Sequence, residues 1–366
     1  MSGEEQDCFC SNRVVNAPIN CGDLEKLVNF LLRYESLYKH PNIRFLADNQ
    51  WKVVASEWYT YLNGLRYDDF NRLPFADTET GHLLNKVSDQ FVVVGLECNE
   101  SLSENGKQRY GHINYINLHL NNESAEKIEV LKVFEGNEND RTAIVCLHGC
   151  GDLQITLFKL FKKLSREKVP LLFSVPCCYH KLSYLDSPVA EWCLSNALKS
   201  CSPNKWTLAP SALRLACQQQ ICSWSCTQEL RQKHTKNFLT RALLECVNDS
   251  INIIPTSAPR KLKRSLEDID NAITVLSKRM NFSTKLTTKL TEAYNDVVER
   301  KKQYFQFIEP YTMLQCLMQK PLESLILWDF SHFLVESGFS VSIEIVFNPL
   351  ISPRNYCIIG SPAQYC

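Results

Sequence analysis

No stretch of the 366 residues stays apolar for long enough to span a bilayer, which takes about 20 consecutive residues. No charged-then-apolar leader follows Met1, so the expectation is a chain that is cytoplasmic or nuclear, not secreted, and has no membrane partner. An excess of one charge is also missing. Forty Lys and Arg stand against 40 Asp and Glu, and no global field pulls the chain to a polyanion. The balance is uneven along the chain, with 9 basic against 15 acidic residues over 1–100 and 11 against 6 over 255–305. A nucleic acid would therefore have to find a local patch, for which Arg260-Lys261-Leu262-Lys263-Arg264 is the candidate; such a cluster is more often a solvated helix start. Internal repeats and low-complexity tracts are absent as well.

What the chain does have is cysteine, 17 of them. Several sit in apolar runs (Cys146, Cys217, Cys246, Cys357), where a thiol behaves as a small hydrophobe, so reduced thiols are expected rather than a disulfide framework. Asn122-Glu123-Ser124 has the form of a glycosylation sequon but means nothing without secretion. The length exceeds the ~250–300 residues at which one core stops growing, which predicts a main domain plus an accessory part. With 45% hydrophobic and 22% charged residues the composition is that of an ordinary globular protein.

The organising stretch is Ile144–Leu182. Two buried strands are predicted over Ile144–Leu147 and Leu171–Val175, joined by a helix over Leu153–Leu164. Such a crossover makes the strands parallel and brings both carboxyl ends to one sheet edge, where open α/β sheets hold their ligands. One end reads His148-Gly149-Cys150-Gly151-Asp152, the other Pro176-Cys177-Cys178-Tyr179-His180-Lys181.

Around it, residues 1–20 read as a flexible tail and 21–70 as an N-terminal helical region. Leu24, Leu27, Val28, Leu31 and Leu32 make one helical stripe, and Trp51, Val54, Ala55, Trp58 and Leu62 a second. Phe91–Glu97 has the form of a buried parallel strand ending in an acid, and a further strand is placed within His112–Leu120. Residues 71–182 form the first part of the main domain and 183–320 a mostly helical insertion, with helical patterns from Pro210-Ser211 onward. Over 321–366, Pro321 and Gly338 bracket a helix. Val341, Ile343, Ile345 and Phe347 then alternate as a strand that Tyr356–Ile359 can pair antiparallel.

Leu147-His148-Gly149-Cys150-Gly151-Asp152-Leu153, Cys177-Cys178-Tyr179-His180-Lys181-Leu182-Ser183, Ser211–Gln218 and Ile351-Ser352-Pro353-Arg354-Asn355 resemble the methyltransferase-like protein 25 family, which includes the ribosomal RNA adenine dimethylase domain-containing protein. A weaker likeness, a His-x-Cys-Gly strand end followed by a Cys-Cys-x-His strand end, extends to tRNA ribose methyltransferases. The resemblance implies an α/β, Rossmann-like, seven-stranded methyltransferase sheet, parallel except for a final antiparallel hairpin strand. It also implies S-adenosylmethionine as cofactor and RNA or another macromolecule as substrate and partner.

One departure bears on the cofactor. Methyltransferases of this type begin the sheet with a strand running into a Gly-x-Gly-x-Gly loop, whose glycines admit the cofactor to the backbone. Only Gly81-His82-Leu83 matches the tail of that loop; Asp77 and Glu79 occupy the places of the earlier glycines, and the first strand is missing. The alternative is a catalytically inactive methyltransferase-fold binding or scaffold protein, or a variant lacking part of the loop.

The expected cofactor side is Gly81, Glu97, His148 and Gly149, with Glu97 as acceptor for ribose hydroxyls. The expected catalytic side is Cys150, Asp152, Cys178 and His180. His180 suits a general base, and Asp152 alternatively caps the following helix. Cys177 and Cys178 after Pro176 resemble the Pro-Cys of cytosine-5 methyltransferases, whose thiolate adds to the base. His148, Cys150, Cys177, Cys178 and His180 are also zinc-type ligands. Adjacent cysteines point apart on an extended chain, however, and no resident metal is expected.

Overall fold

The structure is a computed structural model that describes residues 15–16, 21–54, 94–109, 114–137, 141–183, 187–217, 228–252, 272–347 and 352–363. Its strands in chain order are β1 (Val15–Asn16), β2 (Val94–Glu97), β3 (Asn114–Asn117), β4 (Ala143–Cys150), β5 (Leu171–Cys177), β6 (Phe339–Ile345) and β7 (Tyr356–Pro362). Contacts divide the chain into two compact units, one of residues 1–29, 75–217 and 323–366, the other of residues 30–74 and 218–322.

In the first unit the central stretch folds as strand, helix, strand. β4 and β5 pair parallel from Ala143↔Leu171 to Cys150↔Cys177, and the connecting helix is Asp152–Lys163. The apolar runs are legible because they are buried: Leu172, Phe158 and Leu160 are fully enclosed, each contributing about 1.5–3 kcal/mol of burial. Phe158 and Phe161 of that helix meet Phe330 and Phe339 with ring centroids 5.0 and 4.6 Å apart. Inside the same interface the Gln154 side-chain amide donates to the buried Ser174 hydroxyl of β5.

The C-terminal strands complete this sheet. β7 pairs antiparallel with both β5 and β6, giving the order β1-β6-β7-β5-β4. Val15 and Asn16, in the stretch expected as a flexible tail, pair with Ile343 and Ser342 of β6. β2 and β3 pair parallel but form a separate two-stranded sheet. The fold is thus α/β, yet among the described residues the strands do not join into one seven-stranded sheet. Residues 55–93, which include the degenerate loop and Gly81, lie outside the described residues, as do Arg260–Arg264. Among the described residues β4 ends the larger sheet, with Val145 and Leu147 56% and 51% exposed.

Two helix boundaries differ from the sequence reading. Pro321 does not open a helix: it lies inside Ile308–Glu336. A proline removes one backbone donor and crowds the preceding turn, and here it is carried by a helix anchored by buried Leu322, Leu325 and Ile326. Gly338, at φ +81, ends the helix as expected, its N–H donating to Val335 O. Trp51 belongs to a 3-10 turn, Gln50–Val53, rather than to an α-helix at that point.

The second unit is helical, built from Gln228–Ile251, Ala272–Met280 and Thr284–Lys301 with short 3-10 turns. Phe45 is fully buried against Trp51, Phe238 and Tyr311. Arg44 bridges Asp48 at 2.6 Å and Asp249 at 2.7 Å, tying the turn Asn42–Arg44 to the long helix.

Candidate functional site

The parallel pairing of β4 and β5 brings their carboxyl ends side by side, and a break in register sets which side chains meet there. Pairing skips a residue between Leu147 and Gly149, so His148 is the extra residue of a bulge, with φ 62 and its side chain exposed. A bulge re-aims the side chains beyond it. Cys150 then stands directly opposite Cys177.

The chain next turns at Cys178, which adopts the left-handed conformation with φ 50 and ψ 49. This overturns the expectation that neighbouring cysteines diverge. Side chains alternate only while the backbone stays extended, and the left-handed residue folds the second thiol back beside the first. Cys177 and Cys178 sulfurs are 3.4 Å apart, and the sulfurs of Cys150, Cys177 and Cys178 all lie within 4.8 Å of one another. Cys177 is buried; Cys150 and Cys178 are half-buried, and all are reduced thiols.

Gly151 makes the approach of the two strand ends possible. It has φ +56, and a Cβ there would stand 2.5 Å from the Lys181 carbonyl oxygen; its N–H donates to Cys177 O at 3.3 Å. Asp152 closes the same junction. It accepts from the Ser183 N–H at 3.0 Å and from the Ser183 hydroxyl, and no side chain caps the helix it begins. The helix-capping alternative for Asp152 is therefore replaced by a bridge from the first residue of that helix to Ser183.

The electrostatics separate the three thiols. Burial, together with its bond to Cys178, pushes Cys177 up to about 12, and burial also raises Cys150. Burial pulls Cys178 upward too, but hydrogen bonds from Cys177 and Cys150 and the charges of Lys181 and Arg354 outweigh it and leave this thiol below its ordinary value. His180 is half-buried, with Nδ1 3.2 Å from the Cys217 sulfur. Burial and the nearby Arg214, Lys181 and Arg354 charges lower its pKa, which favours the neutral imidazole. Cys217 ends the helix Pro210–Ala216, which packs on the turn Tyr179–Lys181. The Arg354 charge acts on Cys177, and its Nε is buried with no hydrogen-bond partner among the described residues.

Cys150, Asp152, Cys178 and His180 thus fall at one junction of two strand ends. Arg354 and Cys217 belong to the motifs of the sequence but carry no role there; nothing in their spacing, 37 residues for His180 to Cys217, announces the contact. The expected cofactor residues are more scattered. Glu97 ends β2 in the smaller sheet, where Oε1 accepts from the Asn99 N–H at 2.9 Å. Gly149 is buried, and the space its missing Cβ would take is filled by the Gln154 carboxamide oxygen. Glu97 is thus the ribose-type acceptor among the described residues, while Gly81 and the rest of the expected glycine loop lie outside them.

Residues 79–184 match a family model described as a methyltransferase domain. The match covers β2 through β5 and both cysteine-bearing strand ends, and it supports a methyltransferase family without singling out the methyltransferase-like protein 25 family. No solved structure matches the chain.

Proposed function

We propose that the chain is a methyltransferase-like protein that uses S-adenosylmethionine to methylate RNA or another macromolecule, with the β4–β5 carboxyl edge as the acceptor side. The observation that carries this is the coincidence of the methyltransferase-domain match over residues 79–184 with a strand-end junction, the usual ligand position in open α/β sheets. In this assignment Cys150, Asp152, Cys178 and His180 face the acceptor. Glu97 and His148 belong to the cofactor side together with Gly81, which lies outside the described residues; Gly149, whose Cβ space Gln154 fills, packs the strand end instead. A neutral His180 is in the right state to accept a proton from an acceptor hydroxyl or amine.

The experiment is calorimetric titration of the full chain with S-adenosylhomocysteine, followed by transfer of labelled methyl groups into RNA and protein fractions. Binding is expected to raise the melting temperature, since a ligand at 100 times its Kd stabilises the native state by about 2.7 kcal/mol. Absence of heat and of any thermal shift at millimolar ligand would remove the enzymatic reading. A specific observation favours a second reading, an inactive methyltransferase-fold binding protein: among the described residues β2 and β3 do not join the larger sheet. That reading predicts partner capture with no label transferred, and turnover would sink it.

A further inference from the structure

We infer that Cys150, Cys177 and Cys178 form a three-thiolate site for a zinc ion at the carboxyl edge of β4 and β5, with the fourth position left to solvent. The inference does not rest on methyl transfer and holds under either reading above.

Three observations converge on it. The first is geometry. In a tetrahedral zinc–thiolate site, with zinc–sulfur distances of about 2.3 Å, sulfurs stand roughly 3.8 Å apart. Here Cys177 and Cys178 are 3.4 Å apart and all three sulfurs lie within 4.8 Å, a spread that side-chain rotation can close. The second is backbone strain. Cysteine is not a residue that favours positive φ, yet Cys178 holds φ 50, and without that conformation the adjacent thiols would separate. Gly151 adds an approach of the other strand end that no side chain would permit. Unfavourable backbone conformations persist where the surroundings over-determine them, and they cluster at ligand sites. The third is charge. Zinc with three thiolates carries a net charge of −1, and Arg354 and Lys181 are the cations that act on these sulfurs. The buried, unpartnered Nε of Arg354 is a donor for a metal-bound thiolate.

Binding exchanges S–H bonds for zinc–sulfur bonds. Each thiol that enters as S–H gives its proton to solvent, so uptake is accompanied by proton release and is stronger at higher pH. No electron transfer is involved. Three protein ligands and one open position are the arrangement of zinc sites that admit a water or substrate atom rather than of closed structural sites.

The test uses the reduced full chain, stripped with chelator and titrated with cobalt(II) as a spectroscopic stand-in and with zinc in competition. The expected result is one cobalt per chain, with sulfur-to-cobalt charge-transfer absorption that zinc abolishes. Cys178 is only half-buried, and in Cys178→Ser that absorption falls by about a third or the ion is lost. Cys246→Ser and Cys316→Ser, remote in sequence and buried elsewhere, retain it. Alkylation mapping guards against a variant that misfolds: in the unaltered chain zinc should slow modification of Cys150, Cys177 and Cys178 at least tenfold relative to the chelator-treated protein. Absence of charge-transfer absorption, or zinc protection confined to other cysteines, overturns the site. In a sample prepared without reductant, blocking of these three thiols that reductant reverses would mean a disulfide, and would overturn it as well.

Discussion

Gly151 lets the end of β4 approach the turn after β5 more closely than a single methyl group would allow. Alanine there must adopt φ +56 and place its Cβ 2.5 Å from the Lys181 carbonyl. Gly151→Ala is expected to lower stability by about 1–3 kcal/mol, seen as an earlier denaturant midpoint with unchanged slope. At Asp329 the expected effect is one of pH. Its carboxylate accepts from the Leu194 and Ser195 N–H groups and the Ser195 hydroxyl at 2.7–2.9 Å, but complete burial wins and raises its pKa from 3.8 to about 6. The folded chain therefore keeps a proton that the unfolded chain loses first. This group's contribution to stability is fully present below pH 4 and is lost as pH rises to about 6. Unfolding free energies across that window should show the fall, and Asp329→Asn should flatten it. Asp329→Ala would strand three buried donors and cost roughly 2–4 kcal/mol. Neither role is legible in the sequence: Gly151 is visible as part of a motif, but the carbonyl it admits comes from Lys181, on the far side of a helix and a strand.

Strands and helices are the more legible scale, because burial leaves a period in the sequence. Ile144–Leu147 and Leu171–Val175 are readable as apolar runs, and the observed strands extend each through its polar tip to Cys150 and Cys177. The bulge at His148 and the turn at Cys178 are not readable, since positive φ is signalled by glycine or asparagine and here falls on histidine and cysteine. Pro321 misleads for the converse reason: local preference marks a boundary that the buried residues on both sides override. Among the described residues β4 is an end strand, and it carries its own prediction. Val145 and Leu147 are more than half exposed, and an uncovered apolar edge strand is an aggregation hazard. Val145→Lys with Leu147→Lys should change stability by less than about 0.5 kcal/mol while lowering light scattering at equal concentration. A loss of several kcal/mol would mean that another part of the chain covers this face.

The whole chain has two compact units and no net charge, and among the described residues no helix is long and apolar enough to cross a membrane. Two such cores are expected to melt with a van't Hoff enthalpy below the calorimetric one, because a single transition describes one cooperative core; equality of the two in scanning calorimetry would show that they melt together. The second unit is made of two stretches distant in sequence, 30–74 and 218–322, and contact between segments so far apart leaves no local pattern to read. The strand order has a further consequence for biosynthesis. The ribosome delivers β4 and β5 well before β6, yet the strand that joins them, β7, is made after all three. Until residue 362 has emerged, the nascent chain holds two half-built ribbons with facing open edges, and translation pauses or premature stops before that point would hand the quality-control machinery a sheet with no middle.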